Sequence, residues 1–284
     1  MPDIIDRIEP ASIAAVIEAN INAYLLSFAR LPGATIHDDT STTWVDSGVA
    51  SATFNSIVRA HFTADVADAQ VDSIRDHFKQ RNLPVPWHIG PTTTPPDLGQ
   101  TLLAHGMTHS EDEPGMAVEL AHIQDTIPRS NGLTIQEVRD ERGLRDWVSV
   151  WLFPAPDEAR QLHFAALLHR GLGDDLPWRY YVGYLDGKPV ATSELFVGEG
   201  VAAVHYVVTL RELRRRGIGA AMTLHVLRAA RDQGYRVAVL TASPDGHGTY
   251  QRIGFQDYCW FHRYEWHPDD AHLRASPPAQ PVFI

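Results

Sequence analysis

Hydrophobic residues recur at helical spacing in some stretches of the chain and alternate with polar residues in others. In the first half, a helix is predicted over residues 12–30, because seven apolar residues from Ile13 to Phe28 fall on one helical face before Pro32 and Gly33 end it. Further patterns predict strands over 42–46, 54–62 and 85–89, and helices over 65–80 and 97–105.

The second half shows stronger patterns. Asp186-Gly187, between two alternating stretches, predicts a tight hairpin. The predicted elements are helices over 141–152, 157–169, 217–233 and 245–253, and strands over 179–185, 189–197, 201–209, 236–241 and 255–266. Antiparallel hairpins followed by a strand–helix–strand crossover predict an α/β fold with a mixed, mostly antiparallel sheet flanked by helices.

An internal similarity indicates two copies of one fold. Residues 83–107 and 235–255 both read as a strand, a proline-containing turn, a helix, and then glycine plus an apolar residue. We therefore expect one domain over 1–120, a linker over 121–132, a second domain over 133–267, and a C-terminal tail over 268–284.

Charge is unevenly divided between these halves. The 284-residue chain has a net charge of −11, but residues 1–130 hold 7 basic and 17 acidic residues, whereas 131–284 hold 17 and 18. An acidic chain is a poor general nucleic-acid binder, and no apolar run is long enough to cross a membrane. Cys259, the single cysteine, excludes an internal disulfide. We therefore expect a cytoplasmic protein without nucleic-acid or membrane partners.

The segment from Val207 to Ala220 has the features of an anion site. A β-branched strand ends at Thr209, and the helix after it begins at Gly217 and Gly219, directly behind three arginines. Helix N-termini expose unpaired N–H groups, and glycine lets a phosphate approach them closely. The alternative is a solvated basic surface, which would also allow nucleic-acid binding. The segment is neither a Walker A loop nor a Gly-x-Gly-x-x-Gly motif.

This segment resembles the acetyl-CoA signature of the GNAT superfamily of N-acetyltransferases, Arg/Gln-x-x-Gly-x-Gly/Ala, through Arg214, Gly217 and Gly219. Family members continue with a strand, a short helix that carries a tyrosine, and a closing Gly-Phe. Tyr250 and Gly254-Phe255 follow here in that order, so the resemblance covers about residues 133–267.

The resemblance implies that acetyl-CoA is the cosubstrate and that a primary amine attacks its thioester directly. Tyr250 is then the general acid that protonates the thiolate, and Ser243 stands where many members have an asparagine that contacts pantetheine. The implied cofactor-binding residues are Val207, Val208, Thr209, Arg214, Arg215, Arg216, Gly217, Ile218, Gly219, Ala220 and Ser243.

The general base is not evident. Members that acetylate histone lysines carry a glutamate on the fourth strand, where this chain has Ala203. His205 and Glu194 are the candidates, although a structural or surface role is an open alternative for each. No metal-ligand motif stands out among the 15 histidines, so no metal is expected.

The first half lacks the signature. Between Thr63 and Ile89 there is no glycine, and Asp65 lies at a predicted helix start, where a carboxylate would repel pyrophosphate. We expect a degenerate GNAT-like domain there, with an unrelated α/β domain as the alternative.

At the level of function, the alternative to an enzyme is a catalytically silent acyl-CoA-binding regulatory module. The acceptor is expected to be a small-molecule or peptide amine, and the protein a monomer or homodimer.

Overall fold

The first half of the chain alternates helices and short strands in the computed structural model, which describes residues 3–124 and 131–268. The first helix runs into a 3₁₀ turn at Ser27–Arg30. In chain order the elements are α1 (Ile13–Leu26), β1 (Thr35–Asp38), β2 (Thr42–Asp46), β3 (Ser56–Ala60), α2 (Ala64–Gln80), β4 (Val85–Ile89), α3 (Leu98–Ala104) and β5 (Thr108–Glu119).

The second half contains the longer strands. Its elements are β6 (Thr134–Glu137), α4 (Glu141–Trp151), α5 (Asp157–Arg170), β7 (Trp178–Leu185), β8 (Lys188–Gly198), β9 (Val201–Thr209), α6 (Ile218–Asp232), β10 (Val237–Thr241), α7 (Pro244–Ile253) and β11 (Gln256–Trp266). The hairpin between β7 and β8 turns at Asp186 and Gly187, both with positive φ, as the sequence predicts.

The pattern analysis misses three strands, β1, β5 and β6. The longest of them, β5, begins with six polar or charged residues and contains Pro114 and Gly115, so it carries no hydrophobic alternation. Residues 125–130 of the expected linker and 269–284 of the expected tail lie outside the described residues. None of the described helices is long and apolar enough to cross a membrane.

The chain divides into two compact units that are not two consecutive stretches. Among the described residues, one unit comprises 3–20, 114–124 and 131–258, and the other comprises 21–113 and 259–268. We call them the C-terminal unit and the N-terminal unit after the halves that supply most of their residues. β5 and β11 each contribute residues to both units.

In the C-terminal unit the strands follow the order β5-β10-β9-β8-β7-β6. All neighbours are antiparallel except β9 and β10, which run parallel. Helices cover both faces, because adjacent strand residues point to opposite sides: Tyr181 belongs to the hydrophobic cluster with α6, whereas Tyr180 contacts Trp147 of α4.

In the N-terminal unit the order is β1-β2-β3-β4-β11, with β3 and β4 parallel and the other pairs antiparallel. Its core contains Trp87, Phe78 and Leu102, which are completely buried. The predicted α/β class, with a mixed and mostly antiparallel sheet flanked by helices, is confirmed.

Both units end a helix in the same way after their parallel strand. The Met107 N–H donates to Leu102 O at 3.0 Å, and the Phe255 N–H donates to Tyr250 O at 3.0 Å. The intervening glycines have positive φ, as a helix C-cap of this type requires. Leu102 therefore occupies in the first copy the position that Tyr250 occupies in the second.

Candidate active site

The two parallel strands of the C-terminal unit separate after a short contact. β9 and β10 pair only at Ala202↔Ala238 and Ala203↔Val239, although β9 continues to Thr209. Beyond Ala203 the two strands no longer pair, which leaves the edge of β9 that faces β10 without a ladder partner. An extended ligand can therefore lie along β9 in the position that a further strand would take.

A β-bulge lies on β9 beyond its last pair with β10. Tyr206 has φ +49°, and β9 places Tyr206 and Val207 opposite the single residue Ser193 of β8. The hydroxyl of Thr192 donates to Tyr206 O at 2.9 Å and holds the bulge. A bulge takes backbone groups out of the ladder and re-aims them, so the N–H groups near Val207 can face a ligand rather than β8.

The helix that follows β9 begins with backbone suited to an anion. Gly217 is its N-cap in the left-handed region, with φ +77° and no side-chain cap. The first helical hydrogen bond runs from the Ala221 N–H to Gly217 O, so the preceding N–H groups of residues 218–220 have no partner within the helix. These groups and the helix dipole favour a phosphate.

Arg214 has a different environment from Arg215 and Arg216. It is partly buried and donates from Nε to Thr209 O at 3.2 Å, and its Nη1 lies 3.8 Å from Asp245 Oδ2 at the start of α7. It thus connects the strand end to α7. Arg215 and Arg216 are exposed and remain available to phosphate oxygens.

The end of β9 also holds a buried polar atom that needs a partner. Thr209 is 2% exposed, and its Oγ1 makes no hydrogen bond within the described part of the chain. A pantetheine arm carries amide groups that could satisfy such an atom. Together with the separated strands and the helix start, this atom makes the site fit coenzyme A.

Ser243 and Tyr250 lie on α7, the helix after β10. Ser243 is its N-cap, and its Oγ accepts from the Gly246 N–H at 3.2 Å. Tyr250 is 4% exposed and belongs to the same hydrophobic cluster as Val204 and Val207 of β9. The phenol is therefore held on the α6 side of the sheet.

Glu194 and His205 face each other across β8 and β9, on the α4 side. Glu194 is fully buried in an ion pair with Arg170, 2.8 Å from Nη1 to Oε1. Burial, with the Arg170 charge adding to it, lowers the pKa of His205 to about 3. His205 is thus a neutral but weakly basic imidazole near neutral pH.

In the N-terminal unit the two parallel strands also pair only briefly, but a backbone segment at Thr94 lies beside β3 where the pairing ends. β3 and β4 pair only at Ile57↔Trp87. Beyond that pair, the Thr94 N–H donates to Ala60 O at 3.0 Å and the Phe62 N–H donates to Thr94 O at 2.9 Å. The position that a pantetheine arm would take beside β3 is occupied by Thr94.

Three residues that shape the site are not indicated by the sequence pattern. Tyr206 has no feature that marks a bulge, and Arg170 lies in a helix far from its partner. Trp147 donates from its indole N–H to the carbonyl of Ser193 at 3.1 Å, directly opposite the bulge. The one signal in the sequence is the charge of Glu194 within a strand whose other residues from Val190 to Val197 are uncharged.

The sequence model of the acetyltransferase (GNAT) family matches residues 142–255. These residues contain the bulged strand, the helix start at Gly217, and Tyr250. The C-terminal half therefore carries a GNAT acetyltransferase domain, which confirms the resemblance drawn from the signature.

Several solved structures similar to this chain are described as GNAT or GCN5-related N-acetyltransferase proteins. A GCN5-related N-acetyltransferase from Kribbella flavida is 21% identical, with a TM-score of 0.69 over 92% of this chain and 98% of its own. A tandem GNAT protein from the clavulanic acid biosynthesis pathway is 11% identical, with a TM-score of 0.58 over 95% and 98%.

A GCN5-related N-acetyltransferase from Sphaerobacter thermophilus is 18% identical, with a TM-score of 0.57 over 92% of this chain and 94% of its own. At these identities the likeness shows the fold alone, and it confirms the predicted GNAT fold. No curated protein is similar enough in sequence to count as a match.

Proposed function

We propose that this protein is an acetyl-CoA-dependent N-acetyltransferase that transfers the acetyl group to a primary amine. The observation that carries the proposal is the convergence of three features at one strand end. These are the divergence of β9 from β10, the bulge at Tyr206 and the left-handed N-cap at Gly217.

Coenzyme A would supply an acetyl thioester, and this chain would bind it through backbone groups. Val207, Val208 and Thr209 lie along the free edge of β9 and would pair with the pantetheine arm. The N–H groups of residues 215–220 would hold the pyrophosphate, with Arg215 and Arg216 as charge-assisted donors. Because Thr209 O already accepts from Arg214, its N–H and Oγ1 would be the groups that serve the cofactor.

We assign the two proton transfers of the reaction to opposite faces of β9. An N–H beside the bulge would polarise the thioester carbonyl, so that the amine nitrogen forms the C–N bond as the C–S bond breaks. Tyr250, on the α6 side, would give its proton to the departing sulfur. The proton lost by the amine would pass to water, directly or through His205 on the α4 side.

The acceptor would be a small-molecule or peptide amine. His205 has too low a pKa to act as a strong base, and Glu194 is committed to Arg170. An acceptor that is partly deprotonated in solution would therefore react best.

The N-terminal unit would not bind coenzyme A. Thr94 fills the position of the pantetheine, and Leu102 replaces Tyr250. Helix α2 has Thr63 as its N-cap and Asp65 in its first turn, whereas α6 begins behind the N-cap Gly217. We propose that this half is a degenerate GNAT-like domain and that residues 133–267 contain the catalytic one.

A second candidate is a catalytically silent acyl-CoA-binding regulatory module. The observation in its favour is that neither candidate base is in a reactive state, since Glu194 is ion-paired and His205 is weakly basic.

One experiment separates the two functions. Purified protein is assayed for CoA release from acetyl-CoA across amine classes, and Tyr250→Phe is compared with the wild type on the best acceptor. For the enzyme, kcat should fall at least about a hundredfold, while the calorimetric Kd for CoA stays within about threefold.

Tyr235→Phe is the matched control, because Tyr235 only packs at the edge of the same cluster. If none of the amines in the panel gives CoA release while CoA still binds tightly, the result would favour the silent module. Two CoA bound per chain would overturn the assignment of the N-terminal unit.

A further inference from the structure

Two histidines of the N-terminal unit, His109 and His262, converge on one carboxylate oxygen of Asp112. His109 Nε2 lies 2.7 Å from Asp112 Oδ1, and His262 Nδ1 lies 2.6 Å from the same oxygen. All three candidate ligand atoms lie within 4.8 Å of one another. All three side chains are partly exposed, so an ion could reach them from solvent.

The chemistry of these groups matches a borderline divalent metal. Two imidazole nitrogens and one carboxylate oxygen suit Zn²⁺, Ni²⁺ or Cu²⁺, whereas Mg²⁺ and Ca²⁺ prefer oxygen ligands alone. Zinc bonds to nitrogen and oxygen are about 2.0–2.2 Å long, so atoms on one ion lie at most about 4 Å apart. Each imidazole nitrogen would need to move away from Asp112 Oδ1 by less than about 1 Å to make room for an ion.

A packed aromatic ring also holds one of the two imidazoles in place. Tyr264 packs edge-on against the His109 ring, with ring centroids 5.2 Å apart, and restrains the imidazole. A restrained imidazole loses less freedom when it binds an ion.

We propose that His109, Asp112 and His262 form a binding site for a divalent transition-metal ion such as Zn²⁺, with water completing its coordination. The site would tie β5 to β11 within the N-terminal unit. It shares no residue with the proposed acetyltransferase site, and the metal proposal does not depend on the proposed function. The sequence contains no local metal-ligand motif, and for that reason no metal is expected from it. Asp112 and His262 lie 150 residues apart, so only the fold brings them together.

The test uses the full chain, free of any affinity tag and stripped with a chelator. Titration calorimetry with Zn²⁺ should show one ion bound per chain, and Mg²⁺ should give no binding. His109→Ala and His262→Ala should each weaken Zn²⁺ binding at least about tenfold. Co²⁺ added to the wild type should give visible d–d absorption that both variants lose.

His122→Ala is the matched control, since His122 is 74% exposed and pairs only locally with Glu119. It should leave Zn²⁺ affinity unchanged. Circular dichroism of each variant without metal checks folding, and His262→Gln replaces any alanine variant that fails. Absence of Zn²⁺ binding, or equal affinity in the wild type, His109→Ala and His262→Ala, would overturn the proposal and leave a hydrogen-bonded triad only.

Discussion

Arg170 and Glu194 form an ion pair in which neither side chain is exposed, with Nη1 and Oε1 2.8 Å apart. The same Arg170 nitrogen donates to the Tyr180 hydroxyl at 2.8 Å, and the guanidinium lies 4.0 Å above the Trp178 ring. The pair therefore fastens α5 to β7 and β8 on the α4 side of the sheet. Glu194 therefore has a structural role as the buried partner of Arg170.

Removing one partner of this pair should destabilise the protein strongly. Glu194→Gln leaves the Arg170 charge buried without its anion, so the free energy of unfolding should fall by about 3–5 kcal/mol. Urea denaturation measures it. Glu158→Gln, at an exposed position of α5, is the control and should change the value little. A Glu194→Gln protein as stable as the wild type would show that the pair is not needed for the fold.

His205 should make the protein less stable in mild acid. Its pKa is about 3 in the folded chain and near 6.5 when unfolded, so the unfolded state binds more protons between these values. The free energy of unfolding therefore falls as the pH drops from 7 to 5. His205→Gln should reduce that fall by roughly 1–2 kcal/mol, measured by urea denaturation at both pH values. Parallel curves for variant and wild type would contradict the low pKa.

Gly217 should be required for cofactor affinity. With φ +77° at the N-cap of α6, alanine there strains the backbone and adds a Cβ beside the helix N–H groups. Gly217→Ala should raise the Kd for CoA at least about tenfold. This is measured by calorimetry.

Gly187→Ala is the matched control for that change. Gly187 has φ +75° with nothing within 4 Å of an added Cβ, so it carries the same backbone penalty in the β7–β8 turn, at a position that is not among the proposed cofactor-binding residues. If both variants bind CoA like the wild type, the helix start does not hold the phosphates.

Ser243 should act on stability more than on the cofactor. Its Oγ caps α7, so Ser243→Ala should cost about 1 kcal/mol of unfolding free energy. Ser243→Asp restores a capping oxygen and should recover most of that stability. If the hydroxyl also touches pantetheine, the alanine variant will weaken CoA binding and the aspartate variant will not restore it.

The sequence by itself determines the local elements of the site. The β-branched run of β9 appears over the same residues, 201–209, in pattern and structure. The Arg214–Gly219 signature marks the start of α6, because glycine and helix-start preferences act within a few residues. Strand periodicity and the signature together also indicated the family.

Only the tertiary structure decides what these elements face. The Tyr206 bulge, the burial of Glu194 against Arg170, and the Thr94 backbone beside Ala60 all depend on partners far away in sequence. β5 is a further example. Its Thr108–Glu113 portion is too polar to be predicted as a strand, yet it forms one continuous strand with residues that belong to the other unit. Backbone hydrogen bonds between strands are satisfied by whichever segment lies alongside, and no local pattern records that choice.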